Sequence, residues 1–353
     1  MLWGRAGCYP PLYTFKINSR PGEPLSCKLS NRQRIPINGA SRANFLSQKW
    51  YTIAVYSVLK AGGAFVPLDP SHPESRLRSL IEKVGAKIVL SSSAQQSKVA
   101  LATEQPVIAI DDDLLAKCFS STLKNEVTPG NAAYIIFTSG STGEPKGTVV
   151  EHRAFASSCF AHTDALRLTP ECRVLQFAAH TFDASLVDIL SLLMNGGTVC
   201  IPSEESRVND LAGAINNLNV NYLGLTPSVI EFLTPVMVPN VHTVTLAGEA
   251  MSVNQRDTWC HLNLVNGFGP TETSITSAGN PNVTRETDVK DIGLPVGGKC
   301  WIVSADDHHK MMPVGKRLQP PTDLIRPPPL TSSRRRRRRN ARRGPLARPR
   351  LPA

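Results

Sequence analysis

The sequence predicts an α/β fold of mostly parallel sheets layered with helices, and three observations predict it. Short apolar runs alternate with helical patterns of roughly 10 to 14 residues along most of the chain. The runs read as buried strands, as in sheets covered by helices on both faces. With 353 residues and 41% hydrophobic side chains, the chain can bury one or two sizeable cores.

Residues 1–45 lack sustained periodicity and are broken by Pro10, Pro11, Pro21, Pro24 and Pro36, so they read as poorly ordered. Periodic structure starts near Ser47. A helical pattern over Lys49–Leu59 stops at Ala61-Gly62-Gly63, and Ala64–Leu68 is an apolar strand closing on Asp69-Pro70. Ser75–Val84 is an amphipathic helix with Gly85 at its C-terminal cap, followed by the strand Ala86–Leu90. Beyond a polar connection come the strand Ala132–Thr138, a Gly/Ser-rich loop and the helix Glu151–Leu166. The alternation continues through strand Arg173–Ala178, helix Asp183–Met194, strand Thr198–Ile201, helix Asn209–Asn219 and strand Asn221–Leu225. Helix Pro227–Leu233 and the strands Thr243–Leu246 and Asn263–Val265 complete it, with no internal repeat.

The formal charge of +11 points toward nucleic acid until its distribution is read. From Lys316 to Ala353 there are 13 Lys/Arg against Asp323 alone, whereas residues 46–315 hold 19 bases and 26 acids. An acidic body argues against a nucleic-acid-binding core. The terminal stretch contains Pro320-Pro321, Pro327-Pro328-Pro329 and six consecutive arginines, Arg334 to Arg339, with almost nothing to bury, and reads as a disordered tail. It is either a solvated terminus or a basic arm, and contact with nucleic acid through it is expected to be non-specific. No run approaches the ~18 apolar residues of a membrane span, and the opening residues lack a signal-peptide core. A cytoplasmic protein with no membrane partner is expected. The eight cysteines stand singly, which favours buried thiols over a zinc site or a disulfide framework.

Chemistry concentrates in two segments. Thr138-Ser139-Gly140-Ser141-Thr142-Gly143-Glu144-Pro145-Lys146-Gly147 follows an apolar strand. Its small residues let backbone N–H groups approach an anion, its hydroxyls can donate to phosphate oxygens, and Lys146 adds charge. It is not a Walker loop, because Pro145 precedes the lysine and Gly147 stands where a Mg²⁺-binding Ser or Thr belongs. In Asn266-Gly267-Phe268-Gly269-Pro270-Thr271-Glu272, a Gly-rich turn after a buried strand, Phe268 offers a face to adenine, Thr271 a hydroxyl to phosphate and Glu272 a carboxylate to Mg²⁺. Asp183 opens a helix and is either its N-cap or a ligand carboxylate. His180 reads as structural.

Together with Leu59-Lys60-Ala61-Gly62-Gly63-Ala64-Phe65-Val66-Pro67-Leu68-Asp69-Pro70 and Phe182-Asp183-Ala184-Ser185, these motifs resemble, in order and spacing, the adenylation domains of nonribosomal peptide synthetases. These are a branch of the adenylate-forming enzymes, which also include acyl-CoA synthetases and luciferases. The resemblance runs from about Ser47 to Val314 and implies the large N-terminal domain of the adenylate-forming fold, incomplete here. It implies ATP and Mg²⁺ as cofactors and activation of an amino acid carboxylate as aminoacyl-adenylate. The product would be loaded onto the phosphopantetheine thiol of a peptidyl carrier protein.

Residue by residue, the resemblance implies nucleotide contacts from Thr138, Ser139, Gly140, Ser141, Thr142, Gly143, Lys146, Asn266, Gly267, Phe268, Gly269, Thr271 and Glu272, with Gly248 and Glu249 on the adenine side. Lys146, Thr271 and Glu272 would be catalytic, with Glu272 the metal ligand. Asp183 would bind the substrate α-amino group. Around it Phe182, Ala184, Val187, Gly224, Thr245, Ala247, Gly267, Ile275 and Thr276 would form the pocket, mostly small and uncharged, and so suited to an uncharged side chain. An acyl-CoA or aryl-acid ligase is the alternative, with Asp183 the discriminator. The family's ribose-binding Asp, hinge residue and late bridging Lys have no recognisable counterpart after residues 302–314. The expectation is therefore a partial AMP-binding core over residues 46–315, truncated at both ends, between a non-matching segment and the Pro/Arg-rich tail of residues 316–353. Its activity would be weak or absent, down to a catalytically dead nucleotide-binding remnant.

Overall fold

The apolar stripe that begins at Trp50 becomes the helix Ser47–Lys60, which buries Trp50, Tyr51, Ala54, Val55 and Val58 along one face. Gly62, at φ +82°, supplies the left-handed step that ends this helix and lets the chain turn directly into a strand. The computed structural model describes residues 34–38, 47–116, 127–139, 145–304, 307 and 309–311.

Strands β1 (Arg34–Asn38), β2 (Ala64–Leu68), β3 (Val89–Ser91), β4 (Val107–Ala109), β5 (Ala132–Ser139) and β6 (Pro145–Glu151) form a first sheet in the order β4-β3-β1-β2-β5-β6. Strands β7 (Arg173–Leu175), β8 (Thr198–Cys200), β9 (Tyr222–Leu225), β10 (Thr243–Ala247), β11 (Asn263–Phe268), β12 (Ala278–Asn280) and β13 (Leu294–Pro295) form a second, in the order β13-β12-β11-β10-β9-β7-β8. Pairing is parallel except where β6 turns back on β5 and where β12 and β13 extend the second sheet.

Both faces of each sheet are covered, as a mainly parallel sheet requires. In the first, Phe65, Tyr134 and Ile136 face helices Ser47–Lys60 and His152–Ala165. Val66, Leu68 and Ile135 face Leu77, Leu80 and Ile81 of helix Glu74–Lys83. In the second, Leu223, Leu225, Val244, Leu246 and Leu264 point one way, and Tyr222, Val174 and Val265 the other. Leu186, Ile189, Leu190 and Ile275 belong to the same core as Tyr134, so residues from the two sheets' territories share one apolar cluster.

The structure differs from the sequence reading in several places. Part of the segment read as poorly ordered is β1, an interior strand paired with β2 and β3. Five residues around Pro36 are too few to register as a period, and Pro36 gives up only its own N–H. The residues after the Gly/Ser loop were expected to lead straight into a helix; instead β6 runs antiparallel to β5 before helix His152–Ala165 begins. The Asp183–Met194 pattern is one helical run in three consecutive pieces, Ala184–Leu186, Val187–Ser191 and Leu192–Met194, the middle one π-wound. Helix Val253–Trp259 was not foreseen, although Ser252 and Gln255 form a reciprocal capping box whose S-x-x-Q signature is legible. Helices Gln96–Leu101, Asp112–Ala116 and Glu204–Asn209 and strands β4, β12 and β13 also escaped the reading, being two to six residues long.

Cys159, Cys172 and Cys200 are buried free thiols. Among the described residues no helix is long and apolar enough to cross a membrane. The Arg334–Arg339 run, the boundary at residue 315 and loop residues 140–144 lie outside the described residues.

Candidate nucleotide and amino acid site

The carboxyl ends of β9, β10 and β11 lie side by side, the region where open α/β sheets bind ligands. Parallel register sets Gly224 opposite Thr245, and Ala247 opposite Gly267, so four small residues share one face. A Cβ on Gly267 would stand 3.5 Å from that of Ala247 and 3.7 Å from Thr245 Cγ2, which confirms the adjacency. The Thr245 hydroxyl is held by the Tyr222 phenol at 2.6 Å, and that phenol also donates to the Leu166 carbonyl at 2.9 Å.

The second motif occupies the hairpin between β11 and β12. The segment Thr271–Thr273 is a short 3₁₀ turn, after which Ser274 (φ +66°) and Ile275 (φ +79°) both take left-handed backbone. For β-branched Ile275 this is strained and persists only because its surroundings hold it. Ser158 Oγ, from helix His152–Ala165, donates to the Ser274 carbonyl at 2.5 Å, and Ser277 N–H donates to the Phe268 carbonyl at 2.8 Å. Gly269 is obligatory, since a Cβ there would lie 1.9 Å from the Ile275 carbonyl oxygen. Behind Ser158, His162 is fully buried between Ser158 Oγ (3.3 Å) and Ser191 Oγ (2.8 Å), and burial lowers its pKa to about 4, so it is neutral. Ile275 and Thr276 are thereby packed inward.

Asp183 stands at the N-cap of Ala184–Leu186 but makes no side-chain capping bond, so its carboxylate is not spent on the helix. Its Oδ2 is buried without a hydrogen-bond partner. Burial pushes its pKa up to about 6, opposed by the nearby Thr271 hydroxyl and the N–H groups of Ala184 and Asp183, and reinforced by the Glu272 charge. The Tyr134 hydroxyl neighbours both this carboxyl and the Ser274 hydroxyl, and the two hydroxyls are buried without completing a hydrogen bond. Strand β6 packs against Thr271–Thr273, which brings the lysine-bearing strand to the turn that carries Thr271 and Glu272. Thr138 of β5 pairs with Lys146 across the hairpin, its hydroxyl 3.4 Å from the Lys146 carbonyl.

The family model for AMP-binding enzymes matches residues 48–317. The chain belongs to the AMP-binding enzyme family. Nonribosomal peptide synthetase 1 of Aspergillus fumigatus is 53% identical over 278 residues, 77% of this chain and 4% of that protein. Nonribosomal peptide synthetase 4 of Gibberella zeae is 42% identical over 280 residues, again 77% of this chain and 4% of that one. This AMP-binding chain therefore spans only a small fraction of the length of the curated relatives it matches. Among solved structures, the nonribosomal peptide synthetase FmoA3 in an AMPPNP-bound form aligns with a TM-score of 0.69 at 26% identity, over 78% of this chain and 30% of that one.

Several expected contacts of the AMP-binding site sit differently from the sequence reading. Phe182 is 66% exposed, and its carbonyl accepts from Ser185 Oγ at 2.7 Å. Ala184 is exposed and Val187 half-buried. Asn266 lies within β11 rather than in the turn, and its amide donates to the Asp291 carbonyl at 3.0 Å. The exposed Glu249 carboxylate accepts from the Ser228 N–H at 2.9 Å, tying the end of β10, just before Gly248, to helix Pro227–Ile230. Phe268 is 50% exposed and Glu272 exposed, both available to a ligand. Ser139 ends β5 opposite Pro145, whereas Gly140, Ser141, Thr142 and Gly143 lie outside the described residues. His180 stacks on Tyr51 at 3.7 Å and 7°, and burial, with Arg207 adding to it, lowers its pKa to about 3, so it is a neutral packing residue. Tyr134, Ser158, His162 and Asp188 were missed; each is a polar residue inside an apolar pattern, and that was the only signal they carried.

Proposed function

We propose that this AMP-binding chain serves ATP-dependent activation of an amino acid, as aminoacyl-adenylate destined for a carrier-protein thiol. The observation that carries this is Asp183, a half-buried residue whose carboxylate has a buried, unpartnered oxygen, is free of capping duty and lies near the Thr271 hydroxyl. A substrate ammonium is the partner that such a carboxylate lacks, and a charge-assisted pair in a low-dielectric site is strong. Fatty and aryl acids bring no such group.

In the proposed reaction the substrate carboxylate, already ionised, attacks the α-phosphorus of ATP. A new O–P bond forms as the bond to the bridging oxygen breaks, and pyrophosphate leaves. No general base is needed, so the residues position and neutralise. Lys146 and the Thr271 hydroxyl are suited to phosphate oxygens, and Phe268 to the adenine face. Mg²⁺ characteristically takes one or two carboxylates plus phosphate oxygens, which fits the exposed Glu272, and when bound it would neutralise phosphate charge.

Exchange of labelled pyrophosphate into ATP tests the reading. Stimulation by amino acids, lost in Lys146→Ala and Asp183→Ala, is the expected result. Stimulation by aryl or fatty acids alone would assign the chain to the other ligase chemistry, and ATP·Mg²⁺ binding without exchange would make it a nucleotide-binding remnant.

A further inference from the structure

His162 is a fully buried imidazole to which the chemistry above gives no task. It lies on helix His152–Ala165 between Ser158 Oγ, 3.3 Å from its Nδ1, and Ser191 Oγ, 2.8 Å from its Nε2. Hydrogen bonds in series fix where its proton sits. The Ser274 carbonyl can only accept, so the one Ser158 hydroxyl proton points at it across 2.5 Å. Toward the ring Ser158 then offers a lone pair, and Nδ1 carries the hydrogen that meets it. Burial lowers the His162 pKa to about 4, so the ring is neutral and Nε2 is bare. Ser191 therefore donates to Nε2. The result is one directed chain, from Ser191 O–H to Nε2, from Nδ1–H to Ser158 Oγ, and from Ser158 O–H to the Ser274 carbonyl. Free histidine in water prefers the other neutral tautomer, and here the partners of the two nitrogens decide the matter.

The ends of this chain lie in two different parts of the site. Ser191 closes the π-wound piece of the helical run that Asp183 opens. Its carbonyl accepts from Asn195 Nδ2 at 2.7 Å, and the same amide donates to Thr163 Oγ1 at 2.8 Å, which ties this run to helix His152–Ala165 a second time. Ser274 is the first left-handed residue after Thr271–Thr273, with strained Ile275 next to it. Each bond in a directed chain polarises the next, so the ring strengthens the hold of Ser158 on the turn. Apolar packing supplies no such direction.

We propose that His162 is a positioning residue: held as the Nδ1–H tautomer, it links the helical run of Asp183 to the turn that carries Thr271, Glu272, Ile275 and Thr276, and keeps that turn in its ligand-binding shape. The roles of those residues toward an amino acid rest on the amino-acid-activating reading; the tautomer and the nucleotide contacts of the turn do not.

Nitrogen–proton correlation spectra of the full chain with isotope-labelled histidine read the tautomer, the His162 signal being the one missing in His162→Asn. Near neutral pH the wild type should show Nδ1–H with a bare Nε2. Ser158→Ala removes the acceptor of Nδ1–H and should move the proton to Nε2, where Ser191 Oγ can accept it. Calorimetry with the ATP analogue AMPPNP and Mg²⁺ reads the turn. His162→Leu fills the space without a hydrogen bond and should weaken AMPPNP binding about 5- to 10-fold. His162→Asn is smaller but keeps an N–H donor near the Nδ1 position, and should bind within about twofold of the wild type. A residue that only packs would give the opposite order, with leucine tolerated and asparagine not. That order, equal affinities in the two variants, an Nε2–H or doubly protonated ring in the wild type, or a tautomer unmoved by Ser158→Ala overturns the inference. The spectra and AMPPNP affinity of Ser158→Ala carry the test should the His162 variants not fold, an affinity equal to wild type counting against the inference. Absence of AMPPNP binding by the wild type would overturn the positioning role together with the nucleotide site. AMPPNP binding with the expected order of variants, but no pyrophosphate exchange with any amino acid, would sink the amino-acid-activating reading and leave this inference standing.

Discussion

Two hairpins interrupt the parallel sheets, and they are ordered in opposite ways. The hairpin of β5 and β6 relies on its own strands: seven residue pairs in antiparallel register run from Ala132 with Glu151 to Ser139 with Pro145, with Tyr134, Ile135, Ile136 and Val150 fully buried. The hairpin of β11 and β12 has three such pairs, and its connection carries two consecutive left-handed residues, a glycine with no room for a Cβ, and a hydrogen bond from Ser158, 116 residues away. The lysine side of the site is thus held by local pairing, and the turn that carries Thr271, Glu272, Ile275 and Thr276 by distant packing. Changes on the second hairpin should cost stability and the binding of both ligands together, whereas changes to the ligand-facing side chains of the first should cost nucleotide binding alone.

The largest expected effect follows from Gly269→Ala. Its Cβ meets backbone rather than a flexible side chain, so the turn must move, at a cost of about 3 kcal/mol or more and several degrees of melting temperature. A melting curve identical to wild type would remove the contrast between the hairpins.

Asp183→Asn separates stability from function. The folded-state pKa of Asp183 is raised to about 6 from its usual 3.8, so the folded protein holds this proton more tightly than the unfolded chain. Stability from this group is therefore full below about pH 4 and falls as pH rises toward 6. The asparagine variant should be more stable than wild type at pH 7.5, on the order of 1–3 kcal/mol, with the gain shrinking below pH 4. Its amino acid affinity should fall at least about tenfold, and wild-type affinity should itself decline as pH drops below about 6 and the carboxylate is protonated. Melting and titration across pH 4 to 8 check both signs, and a variant less stable than wild type at pH 7.5 would contradict them.

Lys146→Ala should weaken ATP binding about tenfold, the loss of one charge-assisted contact, with no change in melting temperature. A drop of several degrees would mean that the first hairpin also depends on its ligand-facing side chain. Ser158→Ala is the mildest: about 1 kcal/mol of stability and a few-fold loss of affinity for both amino acid and ATP. Unchanged affinity for both ligands would show that the turn keeps its shape without Ser158.

By itself the sequence determined the elements whose order is local. The helix from Ser47, strand β2, strand β5 and the Gly/Ser motif after it were legible because apolar spacing, glycine stops and hydroxyl-rich turns act within a few residues. It also determined that Asp183 and Glu272 are carboxylates in the right company, though not what they do. Only the tertiary structure decided that the Asp183 carboxylate is not a cap, that β6 packs against Thr271–Thr273, and that Asp188 is buried beside Gly224. It likewise made Ser158 the support of a strained turn more than a hundred residues away. The physical reason is that register between β9, β10 and β11, and the depth at which a carboxyl or imidazole is desolvated, depend on which elements pack together. No window of sequence a few residues wide contains both partners of such a contact, so pattern reading finds the residue and packing assigns its role.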